Sequence, residues 1–87
     1  EDGIFSHTAF QDDRIKVVVF GIGRGQELSE HTAAKPAMLF FVKGEAVLGL
    51  GDDVQDAQTG TWVHMQVGLK HSIKAITPVV MMLVLLK

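Results

Sequence analysis

The stretch GQELSEHTAAKPAMLFFVKG, residues 25–44, carries most of the information about the fold of this 87-residue chain, and GTWVHMQVGLKHSIKA, residues 60–75, is its counterpart. The first stretch begins and ends with glycine and contains His31, while the second begins at Gly60 and contains His71 near its end. Glycine adopts positive φ without steric cost, which is what many tight turns between β-strands require. The two stretches therefore indicate strands connected by short turns.

Strand-like runs fill the rest of the chain, separated by clusters of glycine and aspartate. Residues 14–20 and 79–86 are the clearest of these runs, because they are rich in β-branched, aliphatic and aromatic side chains. Further candidates are residues 4–10, 37–42, 45–50, 54–58, 61–65 and 72–76. About eight or nine short strands with glycine-rich turns predict an all-β sandwich or barrel.

The apolar run of residues 79–86 contains no polar side chain at any position. A helix that crosses a membrane needs about 20 apolar residues, so this shorter run predicts a strand instead. We expect the strand to be buried on both faces, or buried on one face and covered by a partner on the other.

The composition limits the classes of partner. Eight basic and ten acidic residues give a formal net charge of −2, which argues against binding to nucleic acid or to an anionic membrane. The chain has no cysteine, which excludes disulfides and fits a reducing, cytoplasmic compartment. Hydrophobic residues make up 47% of the chain, yet a chain this short buries only about 60–65% of its unfolded surface. We therefore expect a homodimer.

Residues 25–44 and 60–75 together resemble the paired motifs of the cupin family, and the chain is similar to small single-domain bacterial cupins of the RmlC-like superfamily. The resemblance covers about residues 14–86. It implies a cupin-type double-stranded β-helix, or jelly-roll barrel, in which residues 1–87 form one domain with motif one at 25–44 and motif two at 60–75. Because the chain opens at Glu1, we expect further residues upstream. The resemblance also favours an extended conformation for residues 27–35, whose composition alone would allow a short helix.

In cupins these motifs supply three histidines and one glutamate to a metal ion. Carried over by position, the resemblance places His31 and His71 at ligand positions, whereas Ala33 and Ala37 stand where a histidine and the glutamate would be. Protein sites for such ions usually have at least three protein ligands. His64 is a candidate for the third donor. The resemblance thus implies at most a weak site for a divalent ion such as Fe, Mn, Ni or Zn.

The same motifs predict the lining of a pocket inside the barrel. Residues two apart on a strand point to the same face, so alternate residues of the motif strands would enter the interior. Replacing ligands by alanine would make that interior larger and more apolar. The predicted lining residues, besides the histidines, are Ala33, Ala37, Leu39, Phe41, Gln66, Ile73 and Ala75.

Three functions are compatible with these features. The first is a domain that binds a small, partly apolar molecule in the barrel, oriented by two histidines. The second is a metal-dependent enzyme, similar to cupin dioxygenases or isomerases, that uses His31, His71 and a third donor. The third is a non-catalytic assembly module. No motif joins a serine to a histidine and an acid, so the sequence assigns no catalytic residue.

Overall fold

The computed structural model describes residues 3–87, apart from the side chain of His31, and consists of β-strands joined by turns. The predicted all-β architecture of eight or nine short strands is confirmed, with nine strands in the described residues. They are β1 (Ile4–Gln11), β2 (Ile15–Ile22), β3 (Glu27–His31), β4 (Ala37–Lys43), β5 (Ala46–Leu50), β6 (Asp53–Ala57), β7 (Trp62–Met65), β8 (His71–Ala75) and β9 (Val79–Leu86). No helix in residues 3–87 is long and apolar enough to cross a membrane.

The strands form two antiparallel sheets that enclose the core. The five-stranded sheet has the order β1-β2-β9-β4-β7, and the four-stranded sheet has the order β3-β8-β5-β6. Strands distant in sequence become neighbours, since β9 lies between β2 and β4. Likewise β8 lies between β3 and β5. Each sheet therefore contains one strand from residues 25–44 and one from residues 60–75.

Alternate residues of the central strands form the hydrophobic core. In β4 the side chains of Ala37, Leu39 and Phe41 are buried, whereas Met38 and Phe40 face the other side. The same alternation holds in β8 and in the first half of β9. Burial of each large apolar side chain stabilises the fold by about 1.5–3 kcal/mol. The sheets are therefore held together by the side chains that face the space between them.

The extended conformation predicted for residues 27–35 is confirmed for residues 27–31, which form β3, while residues 32–36 connect β3 to β4. Leu28 of β3 pairs with Ile73 of β8 and packs against the core. Hydrogen bonding to β8 and burial of Leu28 outweigh the helix propensity of this segment, because that propensity amounts to only a few tenths of a kcal/mol per residue.

Candidate functional site

His71 is the polar side chain that the fold buries most completely among those it describes. It begins β8, faces the space between the sheets, and is 6% exposed. Its Nδ1 lies 3.0 Å from the backbone carbonyl oxygen of Leu69. A carbonyl oxygen can only accept a hydrogen bond, so Nδ1 carries the proton in the neutral ring. Nε2 is then the nitrogen that carries the lone pair, suited to accept a hydrogen bond or to ligate a metal.

A small cavity lies beside His71, between the two sheets. Its volume is about 30 Å³. Besides His71, the described side chains that line it are all apolar: Phe20, Leu28, Leu39, Met65, Ile73, Met81 and Leu83. A space of this size holds about one or two water molecules, whereas pockets for drug-sized ligands measure about 300–1,000 Å³. In this structure the interior is thus apolar, as the sequence predicts, but it is not enlarged.

The interior remains small because large side chains outside the two motifs fill it. Phe20 enters from β2, and Met81 and Leu83 enter from β9. Protein interiors pack to nearly crystalline density, so space left by shorter side chains is taken up by neighbouring ones. The sequence signal for these lining residues is the pair of apolar runs at residues 17–20 and 79–86, which lie outside the two motifs.

The predicted lining residues lie in three different environments. Leu39 and Ile73 line the cavity with His71. Ala37, Phe41 and Ala75 are buried in the surrounding core. Ala33 is half-buried in the connection after β3, and Gln66 is exposed in the turn after β7. The structure therefore brings two of the seven predicted residues to the cavity wall and three more into the layer of core around it.

The two motif histidines meet in the backbone of the four-stranded sheet. His31 is the last residue of β3, and it pairs directly with His71 of β8. The side chain of His31 lies outside the described part of the structure. On its other side, His71 pairs with Leu50 of β5. The backbone register thus joins the two residues that the sequence singled out from motifs forty positions apart.

His64 lies away from this cavity. On β7 the buried residues are Val63 and Met65, whereas Trp62 and His64 are exposed on the opposite face of the strand. Successive residues of a strand point to opposite faces, so the burial of Met65 directs His64 outward. The structure therefore does not bring His64 to His71 as a third donor.

The described donor set does not fit a metal site with three or more protein ligands. No group of three His, Cys, Asp or Glu side chains is placed to hold an ion within the part of the chain that the structure describes. Ala37, at the position of the family glutamate, is 1% exposed and offers only a methyl group. Two imidazoles are thus the largest donor set that the motif positions can supply.

Several solved structures share this fold. A conserved protein of unknown function, SPY1581 from Streptococcus pyogenes, has 26% sequence identity and a TM-score of 0.90, over 100% of this chain and 76% of that one. A cupin superfamily protein, DSY2733 from Desulfitobacterium hafniense, has 22% identity and a TM-score of 0.92, over 99% of this chain and 79% of that one. An RmlC-like cupin from Shewanella frigidimarina has 13% identity and a TM-score of 0.93, over 99% and 78% of the two chains.

The sequence itself matches no protein-family model and no curated protein. The similarity to these proteins is therefore a similarity of backbone fold, and it confirms the predicted double-stranded β-helix.

Proposed function

We propose that this small cupin domain binds a small, uncharged ligand inside its barrel, next to His71. The observation that carries the proposal is the cavity between the sheets, in which His71 is surrounded by seven apolar side chains. A charged ligand would lose its hydration with little return, because no Lys, Arg, Asp or Glu is among the described lining residues. An uncharged molecule with a single hydrogen-bond donor suits such a wall best.

The chemistry of recognition follows from the tautomer of His71. Because Nδ1 donates its proton to the Leu69 carbonyl, the ring is held in one orientation and Nε2 is its acceptor. The backbone of His31 pairs directly with that of His71. The apolar wall contributes affinity, and the imidazole of His71 contributes preference for a hydroxyl or amine group.

The size of the ligand is limited by the volume of the cavity. At about 30 Å³ it admits only one or two non-hydrogen groups unless its wall moves. Met65 and Met81 line the cavity, and unbranched thioether side chains repack with little cost. We infer that these two methionines shift when a ligand of several atoms enters.

Phenol and toluene are suitable probes, because they share a shape and differ in one hydrogen-bond donor. We expect NMR titration with phenol to shift the signals of Leu39, His71 and Ile73. In His71→Leu, the affinity for phenol relative to toluene should fall by about 3–10-fold, which corresponds to one hydrogen bond. His64→Leu is the matched control: its histidine is exposed on the outside of β7, and the ratio should not change.

Two results would contradict this proposal. One is the absence of any shift at the cavity wall with either probe at millimolar concentration. The other is stoichiometric Fe, Mn, Ni or Zn in protein purified without a histidine tag, lost in both His31→Ala and His71→Ala. That second result would favour the metal-dependent enzyme, with its third donor among groups that the structure does not describe or that a ligand supplies.

A further inference from the structure

A second pocket lies at one end of the barrel, where β2 begins and β9 ends. Its volume is about 370 Å³, which is within the range of about 300–1,000 Å³ for small-molecule sites. It is called the lysine pocket below, and its described lining residues are Lys16, Ala33, Ala34, Lys35, Leu85, Leu86 and Lys87. None of them also lines the cavity beside His71, so the two spaces are separate sites.

Lys16 occupies an unusual place for a lysine, on the inward face of β2. Two residues further along the strand Val18 is buried, and Phe20 lines the cavity beside His71. Side chains two apart on a strand share a face, so Lys16 continues this inward face at its end. It is half-buried and pairs with Leu85, which packs against the core. An apolar stem on the core with the ammonium group at the edge is the usual arrangement for such a lysine.

Backbone hydrogen bonds hold the walls of the lysine pocket in place. The N–H of Leu86 donates to the carbonyl oxygen of Pro36 at 3.1 Å, which fixes the end of β9 to the connection between β3 and β4. The N–H of Gly68 donates to the carbonyl oxygen of Ala33 at 3.0 Å, which fixes the same connection to the turn after β7. The pocket is therefore formed before a ligand arrives, and binding costs little reordering of the chain.

The charged groups that line the lysine pocket all have one sign. Lys87 is partly engaged, because its Nζ donates a hydrogen bond to the backbone carbonyl oxygen of Asp12 at 2.9 Å. The ammonium groups of Lys16 and Lys35 have no hydrogen bond or ion pair with any residue that the structure describes. A pocket at the opposite end of β9 differs, since both Lys43 and Glu45 line it. Only the lysine pocket thus combines an apolar wall with an uncompensated positive charge among these two.

We propose that the lysine pocket binds a small amphiphilic anion, namely a carboxylate with an apolar tail. The carboxylate would contact the ammonium groups of Lys16 and Lys35, and the tail would lie on the alanine and leucine side chains. A hydrocarbon without charge would leave the two lysines unused, and a compact inorganic anion would leave the apolar wall in contact with water. This site is independent of the proposed binding of an uncharged ligand next to His71.

Octanoate and 1-octanol are matched probes, because they share a chain of eight carbon atoms and only octanoate is charged at pH 7. Octanoate should bind about tenfold more tightly than octanol at low salt, as two ion contacts of ordinary strength would give. In an NMR titration it should shift the signals of Ala33, Ala34, Leu85 and Leu86. Raising the salt from about 0.01 M to about 1 M shortens the range of charge attraction from about 30 Å to about 3 Å. The affinity for octanoate should then fall, and that for octanol should not.

Methionine variants test the two lysines, because methionine keeps an unbranched chain and removes the charge. Lys16→Met combined with Lys35→Met should lower the affinity for octanoate about tenfold and leave that for octanol unchanged. Lys43→Met is the matched control, since it removes the same charge at the opposite end of β9 and should change neither affinity. Lys35→Met alone, at an exposed position between β3 and β4, should lower the affinity for octanoate about threefold and keeps the test available where the double variant does not fold.

Four results would overturn this proposal. They are the absence of a saturable shift in the lysine pocket with millimolar octanoate, equal affinities for octanoate and octanol, and a folded double variant that binds octanoate as tightly as the wild type. The fourth is binding to phosphatidylglycerol vesicles without binding to monomeric octanoate, which would assign the lysines to a membrane surface. Shifts confined to Leu39, His71 and Ile73 count as the first result, because they place octanoate in the other cavity. The phenol titration described above tests that cavity separately.

Discussion

Gly44 and Gly60 begin and end the connection between the two sequence motifs, and both have positive φ, of 102° and 92°. Their surroundings differ. A Cβ atom at Gly44 would overlap the carbonyl oxygen of Pro78 and would lie 2.9 Å from the Cα of Val79. A Cβ atom at Gly60 would have no neighbour within 4 Å. Both positions thus need glycine for its backbone freedom, and Gly44 also needs it for the close approach of the chain before β9.

This contrast predicts unequal costs for the same substitution. Gly60→Ala should lower the free energy of unfolding by about 1–2 kcal/mol, the cost of a left-handed conformation in a residue with Cβ. Gly44→Ala should cost at least about 3 kcal/mol, because backbone atoms of residues 78 and 79 would also have to move. Urea denaturation of both variants measures the difference. Equal losses of stability would show that the contact with Pro78 does not constrain Gly44.

At the scale of elements, the turn between β1 and β2 is organised by Asp12. Its Oδ1 accepts hydrogen bonds from the backbone N–H groups of Arg14, at 2.7 Å, and Ile15, at 2.9 Å. The hydrogen bonds from Ile15 and Arg14, with the charge of Lys87, hold the pKa of the Asp12 carboxyl below its ordinary value. The ionised side chain therefore favours the folded turn.

The lowered pKa of Asp12 predicts a pH dependence with a definite sign. Because the pKa is lower in the folded chain, the contribution of Asp12 is fully present above about pH 4, the range of an unfolded aspartate, and is lost as the pH falls through the folded value. Asp12→Ala should therefore lower the melting temperature slightly at pH 7, and less at pH 3.

Asp13→Ala is the control for this turn, since Asp13 is also exposed and lies next to Asp12. It should leave the melting temperature nearly unchanged at both pH values. A loss for Asp12→Ala that is as large at pH 3 as at pH 7 would contradict a role for its charge. Such a result would assign the effect to the shape of the turn instead.

At the scale of the whole molecule, stability depends on the side chains between the two sheets. A domain of this length has a free energy of unfolding of about 4–13 kcal/mol. Leu39 is 1% exposed, belongs to the five-stranded sheet, and lines the cavity beside His71. Truncation of the Leu39 side chain should therefore remove a large share of the free energy of unfolding.

We expect Leu39→Ala to reduce the free energy of unfolding by about 3–5 kcal/mol, from lost burial and from the larger cavity. The variant should unfold at a markedly lower urea concentration than the wild type. Val54→Ala, at an exposed apolar position, should stay within about 0.5 kcal/mol of the wild type. A loss below about 1 kcal/mol for Leu39→Ala would mean that the neighbouring side chains close the space.

The strands were predictable because their signals are local. Apolar runs such as residues 79–86, bounded by turns that contain glycine, identify strands by themselves. The barrel was predicted from the resemblance of residues 25–44 and 60–75 to the paired cupin motifs. Position in the motifs also selected His31 and His71, which the backbone brings together. The cavity wall was less predictable. Phe20, Met81 and Leu83 reach it from strands outside the motifs, and local patterns do not specify which strands become neighbours.

The sequence by itself determined the fold class and the strands, because alternation of side chains and the backbone freedom of glycine act over a few residues. The pair of histidines followed from the resemblance of the two motifs to those of cupins. Only the tertiary structure decided that the cavity next to His71 is small and that His64 points outward. These two properties depend on which distant strands pair and in which register, since packing volume belongs to several strands at once.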